Sequence, residues 1–365
     1  MQIVSSVKIE EIDFTYRKIP LERAFSTATG GVSNSSSFFV RVTTNEGITG
    51  YGCGYPTSMT DEDVRSANYY SELFREGIKG IDPLRREKVC ATMDSITYGN
   101  PAVKFAFDTA IWDIIGKYHD SPLYGLLGNL RPKMATSITI GLDDVSSMLR
   151  DAMFWRRKGF DHFKVKLGPE PDRDIEVLFA LRDELGPEPR IRCDANGSLS
   201  LPDARKVVMR TRDLDIEFFE QPARDDASML ELTTDSPIRI AGDESIHDRF
   251  QLQSALQRKL FHIANIKLNR FGGISQGIKM INSCELSEVP CMVGCMSENA
   301  ISIAASLHLA LSSNNVLFAD LDTYLFLKHQ PATGLNLKKG FLSPSEDPGL
   351  GVNVDKKIFK KARPS

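Results

Sequence analysis

The sequence predicts an α/β protein whose larger part is a closed barrel of eight parallel strands, preceded by an α+β unit. Three observations predict it. After about residue 133, short apolar strands alternate with helices at a spacing of about 25 residues. That alternation demands a parallel sheet with right-handed crossovers. Eight strands without a GxGxxG fingerprint fit a closed barrel better than an open doubly wound sheet. Residues 1–119 differ, with strands first and helices afterwards, which is α+β order.

In the front unit, SVKIEEIDF reads as a strand and SFFVRVTTNEGITGYG as a hairpin turning at Asn45-Glu46-Gly47. Between them STATGGVSNSSS, Ser26 to Ser37, reads as a connector or as a lid over a site. TDEDVRSANYYSELFREGI opens with a helix cap, and AVKFAFDTAIWDIIGK reads as an amphipathic helix with alanines at close-packing positions. The barrel strands are TSITIG, HFKVKLG, IRCDANG, IEFFEQP, IRIAGDES, FHIANIKLN, PCMVGCMSE and VLFADLD. LFLKHQPATGLNLKKGFLSP looks irregular where a last helix would stand, and reads as a return to the front unit.

Composition narrows the partners. A net charge of −3 offers no basic field for nucleic acid or an anionic membrane. There is no apolar run of transmembrane length, and MQIVSSVKIEEID lacks the apolar core of a secretory signal. Six cysteines without a CxxC pair, and six histidines without HExxH spacing, argue against zinc and for a reducing, cytoplasmic setting.

Charged residues gather where the strands end, on the face where barrel active sites are built. They are Lys164 and Lys166, Asp194, Glu220, Asp243 with Glu244, Lys267, Glu298, and Asp320 with Asp322. The steps 166→194, 194→220, 220→243 and 243→267 are 28, 26, 23 and 24 residues, each about one strand-helix unit. These side chains therefore converge on one mouth. Carboxylates at Asp194, Glu220 and Asp243, with no Cys or His beside them, favour a hard oxygen-liganded cation such as Mg2+. Such an ion stabilises negative charge on a substrate carboxylate, the charge that grows when an α-proton leaves and an enediolate forms. Lys166 on the second barrel strand and Lys267 on the sixth would face opposite sides of that carbon as bases. Lys164, two residues from Lys166, would lower its pKa as a like charge. Asp320 and Asp322 also share one side of a strand, and two buried acids there call for a cation.

The set KVK, DAN, EQP, DES and IKL resembles the enolase superfamily, muconate-lactonizing subgroup, over nearly the whole chain. The resemblance implies a (β/α)7β modified TIM barrel over 133–322, with an α+β capping domain over 1–132 and a C-terminal segment, 323–365, returning to it. It implies Asp194, Glu220 and Asp243 as Mg2+ ligands, Lys166 and Lys267 as the acid/base pair and Lys164 as an auxiliary lysine. Asn196, Gln221 and Glu244 match supporting positions. GCMSE at 294–298 followed by ADLDTYLFLK at 319–328 looks most like the dipeptide epimerases. There, D-x-D takes the substrate's ammonium, so Asp320 and Asp322 are expected to hold it, with Glu298, Met296 and Tyr55 completing the substrate site. The implied protein is a homo-oligomer that inverts the C-terminal residue of an L,L-dipeptide.

Three departures bear on specificity. Gly30 stands where Ala-Glu epimerases carry a lid arginine, so an acidic dipeptide is not expected. Gly50-Tyr51-Gly52-Cys53-Gly54 replaces the usual GxGEA, and with Tyr55 and Pro56 is expected to form a loop lining the specificity pocket. Asn269 stands where methionine is commoner, implying a more polar pocket. Other reactions of the same core stay open: cycloisomerisation, dehydration and racemisation of another amino-acid-derived carboxylate. A non-catalytic barrel is the remaining alternative.

Overall fold

The computed structural model describes residues 7–360, without the side chains of residues 23–25. Residues 1–6, which belong to the start read against a secretory signal, and residues 361–365 of the expected C-terminal segment lie outside the described residues. Among those described, no helix is long and apolar enough to cross a membrane.

The front unit opens with a long antiparallel ribbon, β1 (Ile9–Thr27) and β2 (Gly30–Thr44), completed by β3 (Thr49–Gly54). The Ser/Thr/Gly segment expected to be a connector is therefore mostly strand. Pairing continues to the tip as Phe25↔Val32, Ser26↔Gly31 and Thr27↔Gly30, because a ribbon needs only backbone partners and small polar side chains tolerate exposure on both faces. Pairing slips between Pro20 and Phe25, where proline has no N–H to give the ladder.

Helices α1 (Val64–Ile78), α2 (Arg86–Ile96), α3 (Pro101–Tyr118) and α4 (Leu123–Leu127) follow. Asp63 caps α1, its carboxylate accepting from the Arg65 and Ser66 amides. The expected amphipathicity of α3 does not hold, since the helix is buried on every face between the β1–β3 sheet and the barrel. Its alanines do pack closely. A side chain on Gly50, Gly52 or Gly54 would strike the carbonyl oxygen of Ala110, Ala106 or Ala102 respectively, at 2.0, 1.8 and 1.9 Å. GYGCG is thus a strand pressed flat on a helix, and not a pocket loop.

The barrel begins after a short strand, β4 (Met134–Ala135). Its strands are β5 (Ile138–Ile140), β6 (His162–Lys166), β7 (Arg190–Asp194), β8 (Ile216–Glu220), β9 (Ile240–Gly242), β10 (Ile263–Lys267), β11 (Cys291–Gly294) and β12 (Val316–Asp320). Between them stand α5 (Val145–Arg157), α6 (Pro171–Leu185), α7 (Leu201–Thr211), α8 (Asp226–Asp235), α9 (Arg249–Arg258), the single turn α10 (Leu268–Phe271), α11 (Ile274–Leu286) and α12 (Ala300–Ser312). All eight strands pair in chain order. The ring is drawn together where Ser137 N donates to Ala319 O at 3.2 Å and Thr136 bridges to Ala319. After β12 there is a 3-10 turn, Thr323–Phe326, in place of an eighth helix, giving a (β/α)7β barrel. The tail then touches the ribbon: Lys328 N donates to Pro20 O, and Arg17 donates to Ile358 O.

Candidate active site

Parallel pairing sets the level of each side chain. Lys166 is opposite Asp194, and Asp194 is opposite Glu220, so consecutive strands deliver base and acids at one height. On the other side Lys267 is opposite Gly294, which is opposite Asp320. Strands paired this way point alternate residues into the barrel, and the inward ones meet at its C-terminal mouth.

At the centre lies Lys164 Nζ, 2.8 Å from Asp320 Oδ2, 2.9 Å from Glu220 Oε2 and 3.0 Å from Asp194 Oδ2. Lys166 Nζ is 2.6 Å from Asp194 Oδ2 and 3.1 Å from Asn196 Oδ1. Lys267 Nζ is 2.7 Å from Asp243 Oδ2. Except for the half-buried Asn196, all these residues are buried. Against the penalty of burial, the Asp194, Asp320 and Glu220 carboxylates push Lys164 well above the ordinary lysine value. Burial works against the charged form of Lys267 too, yet Asp243 holds its pKa above the usual value.

Supporting residues complete the floor. Asn265 Nδ2 donates to Glu220 Oε1 at 2.9 Å, and Asn196 Nδ2 to Glu244 Oε1 at 3.0 Å. Gln221, at a positive φ of 37°, accepts from the Asp243 and Ser245 amides through Oε1. Asp194, Glu220 and Asp243 fit a hard divalent cation in two respects. Every donor is a carboxylate oxygen. Glu220 Oε2, although near the Lys164 charge, is buried and accepts no hydrogen bond among the described residues. Burial and the Asp194 charge push Glu220 up to about 7, a strain that a shared cation removes. As they stand, no three His, Cys, Asp or Glu side chains among the described residues are grouped so as to hold a metal ion, and the Lys164 ammonium lies between Asp194 and Glu220.

The D-x-D aspartates have unequal surroundings. Asp320 already has a cation in Lys164, with Ser137 Oγ donating at 2.7 Å. Asp322 accepts the Thr139 amide, at 2.6 Å through Oδ2, and its Oδ1 is buried without a hydrogen-bond partner among the described residues. Burial, then the Asp320 charge, push Asp322 up to about 7. Glu298 is similar: Met296 N donates to Oε1 at 3.1 Å, Oε2 is unpartnered, and burial raises the carboxyl to about 7.

Tyr55 and Met296 meet at Asn269. Tyr55 N donates to Asn269 Oδ1 at 2.7 Å, Asn269 Nδ2 donates to Tyr55 O at 2.8 Å, and the same Nδ2 reaches Met296 Sδ at 3.4 Å. The asparagine amide is thus spent on fastening the cap's backbone to the barrel, and does not make the pocket more polar. Sequence reasoning missed Arg270, Asn265, Ser137 and Thr139. Only Arg270 had a readable signal, as the cation three residues after Lys267 in KLNR.

A barrel mouth lined in strand order by lysine, three acids and lysine gathers potential acids and bases in one buried cluster. Comparison with known proteins narrows this. Residues 147–358 match the Enolase C-terminal domain-like family, and residues 11–128 match the Mandelate racemase / muconate lactonizing enzyme N-terminal domain. The chain belongs to this family of the enolase superfamily and is an isomerase. It is 35% identical over 353 residues to the Hydrophobic dipeptide epimerase of Enterococcus faecalis, covering 95% of this chain and all of that protein. A structure of the Enterococcus faecalis Dipeptide Epimerase complexed with Mg and the dipeptide L-Leu-L-Tyr superposes with a TM-score of 0.92 at 34% identity, covering 94% and 99% of the two chains. The N-succinyl Arg/Lys racemase of Bacillus cereus superposes equally well, with a TM-score of 0.93 at 26% identity over 97% of each chain.

Proposed function

We propose that this protein is a Mg2+-dependent epimerase of L,L-dipeptides that inverts the Cα of the C-terminal residue. The observation that carries the dipeptide reading is Asp322, a fully buried carboxylate with one oxygen unpartnered beside the acid/base centre. An N-terminal ammonium supplies the cation it lacks, in a charge-assisted contact that also orients the substrate. An N-acylated substrate has no such charge, which separates this reading from an N-succinyl amino acid racemase. The identity to the Enterococcus faecalis epimerase supports the same choice.

Asp194, Glu220 and Asp243 would hold Mg2+, which when bound supplies Lewis-acid stabilisation of charge on the substrate carboxylate. The chain's residues do the rest. Lys166 Nζ and Lys267 Nζ reach the centre from the second and sixth strands, on opposite sides of the ring. One neutral amine removes the α-proton and the other, as an ammonium, returns a proton to the opposite face; the substrate is isomerised with no net gain or loss. Lys164, tied to Asp320, carries positive charge at the floor as negative charge spreads onto the substrate carboxylate. Tyr55 and Met296 stand with Glu298 on the far wall, and with the uncharged tip at Gly30 they suit side chains other than acidic ones.

The test is isotope exchange in D2O with Mg2+ and a pooled L,L-dipeptide library. A gain of one mass unit with formation of L,D products supports the reading. Exchange confined to N-acyl amino acids would replace it.

A further inference from the structure

Arg270 has no part in the proton transfer described above, yet its contacts join it to the third acid. It sits on α10, the single turn that follows β10, three residues past Lys267. Its side chain is 1% exposed and reaches the end of the neighbouring strand β9. There Nη1 donates to Asp243 O, to Asp243 Oδ1 at 3.0 Å and to Ile246 O at 2.8 Å. Asp243 Oδ2 faces Lys267 Nζ at 2.7 Å. The two carboxylate oxygens are thus divided between two cations from the same strand end.

These cations differ in what they can do. Lys267 has one polar contact, on a flexible stem, and can leave it. Arg270 is planar, permanently charged and held on main-chain carbonyls, so it remains when Lys267 departs. We infer that Arg270 is a positioning residue: it fixes the Asp243 carboxylate for the divalent cation and keeps that carboxylate compensated while Lys267 Nζ swings to the substrate. The role rests on the reading of Asp243 as a metal ligand. Its remaining nitrogens, Nε and Nη2, are buried and without partners among the described residues, so the side chain is retained in spite of poor satisfaction of its own donors. A residue present only for packing would not leave two charged donors unmet.

Partners of this kind, one step behind a metal ligand, affect metal affinity by about 10–100-fold. The experiment is calorimetric titration of Mg2+ into the substrate-free full chain, for the wild type, Asp243→Asn, Arg270→Met and Arg270→Lys. Expected is a Kd about 10–100-fold weaker for Arg270→Met, with Arg270→Lys intermediate because the charge is kept on a shorter, flexible stem without the planar guanidinium. Saturating Mg2+ should then recover kcat for both variants. If the wild type binds no Mg2+, or Asp243→Asn binds as tightly as wild type, the metal reading falls and the role falls with it. If wild type binds and Asp243→Asn does not, but the arginine variants match wild type, only the positioning role is overturned. Should Arg270→Met not fold, Arg270→Lys alone decides, and an unchanged Kd there overturns the role.

Discussion

The two sides of the barrel mouth balance their charges differently. From β6 to β10 the acids Asp194, Glu220 and Asp243 stand against Lys164, Lys166, Lys267 and Arg270, and Asp194 and Asp243 are each within 3.0 Å of at least two cationic nitrogens. On the far side, Asp322 and Glu298 accept from backbone amides and are in no ion pair among the described residues. A buried charge without a counter-ion costs several kcal/mol. The first side is largely ion-paired within the protein and suits chemistry common to a whole family. The second is incomplete by itself, and in the proposed function a substrate's own charge completes it.

Breaking the balanced side should give the largest effects. Lys166→Ala is expected to lower α-proton exchange by about 10²–10⁴-fold, the usual contribution of a positioned general base, read by deuterium incorporation. Lys267→Ala should remove exchange from one face only; equal losses for the L,L and L,D epimers would argue against division of labour. Excess EDTA should abolish turnover, and unchanged activity would remove the metal from the reaction.

The incomplete side should respond in two opposite directions. Asp322→Asn removes an uncompensated charge, so the free protein should melt at a higher temperature. The same change should raise KM for dipeptides, by an amount on the order of 2–5 kcal/mol for truncation of one partner of a buried charge pair. A variant unchanged in both respects would end the ammonium reading. Asn269→Met sharpens the comparison more gently. It breaks both hydrogen bonds to Tyr55, each worth about 1 kcal/mol, and should alter KM and the side-chain preference while sparing kcat.

The smallest effect lies far from the mouth. Glu62 is 6% exposed and burial pushes it up to about 7, although the Ala102 and Val103 amides of α3 oppose the shift. Its folded pKa lies above the ordinary 4.5, so its contribution is fully present below that value and lost as pH rises through 7. Wild type should therefore lose on the order of 1–3 kcal/mol relative to Glu62→Gln between pH 4.5 and 8, measured by thermal melts.

Strand order and the level of the lysines and acids were legible in the sequence, because each is the last or near-last residue of an apolar run and the runs recur at one spacing. What stayed hidden was pairwise. Nothing in the D-x-D spacing tells that Asp320 goes to Lys164 while Asp322 does not, since the partner is 156 residues away. The connector reading of Ser26–Ser37 fails because serine and glycine signal a loop, while a two-stranded ribbon needs only backbone partners. The helix from Pro101 looked one-sided because its alanines are small, and smallness served the close approach of β3 instead.

That approach resembles a vernier scale. A strand advances about 6.6 Å per two residues. A helix advances about 6 Å per four residues. Gly50, Gly52 and Gly54 can therefore match Ala110, Ala106 and Ala102 for three teeth before the two rulers drift out of step. A single methyl on the middle tooth would lift α3, whose Asp108 accepts from Ser275 at the start of α11, while its Asp113 accepts from Leu350 in the tail. A gauge read in ångströms at the cap is in this way geared to parts of the barrel and the tail, and a mutation screen at Gly52 would report its disturbance as a shift in both.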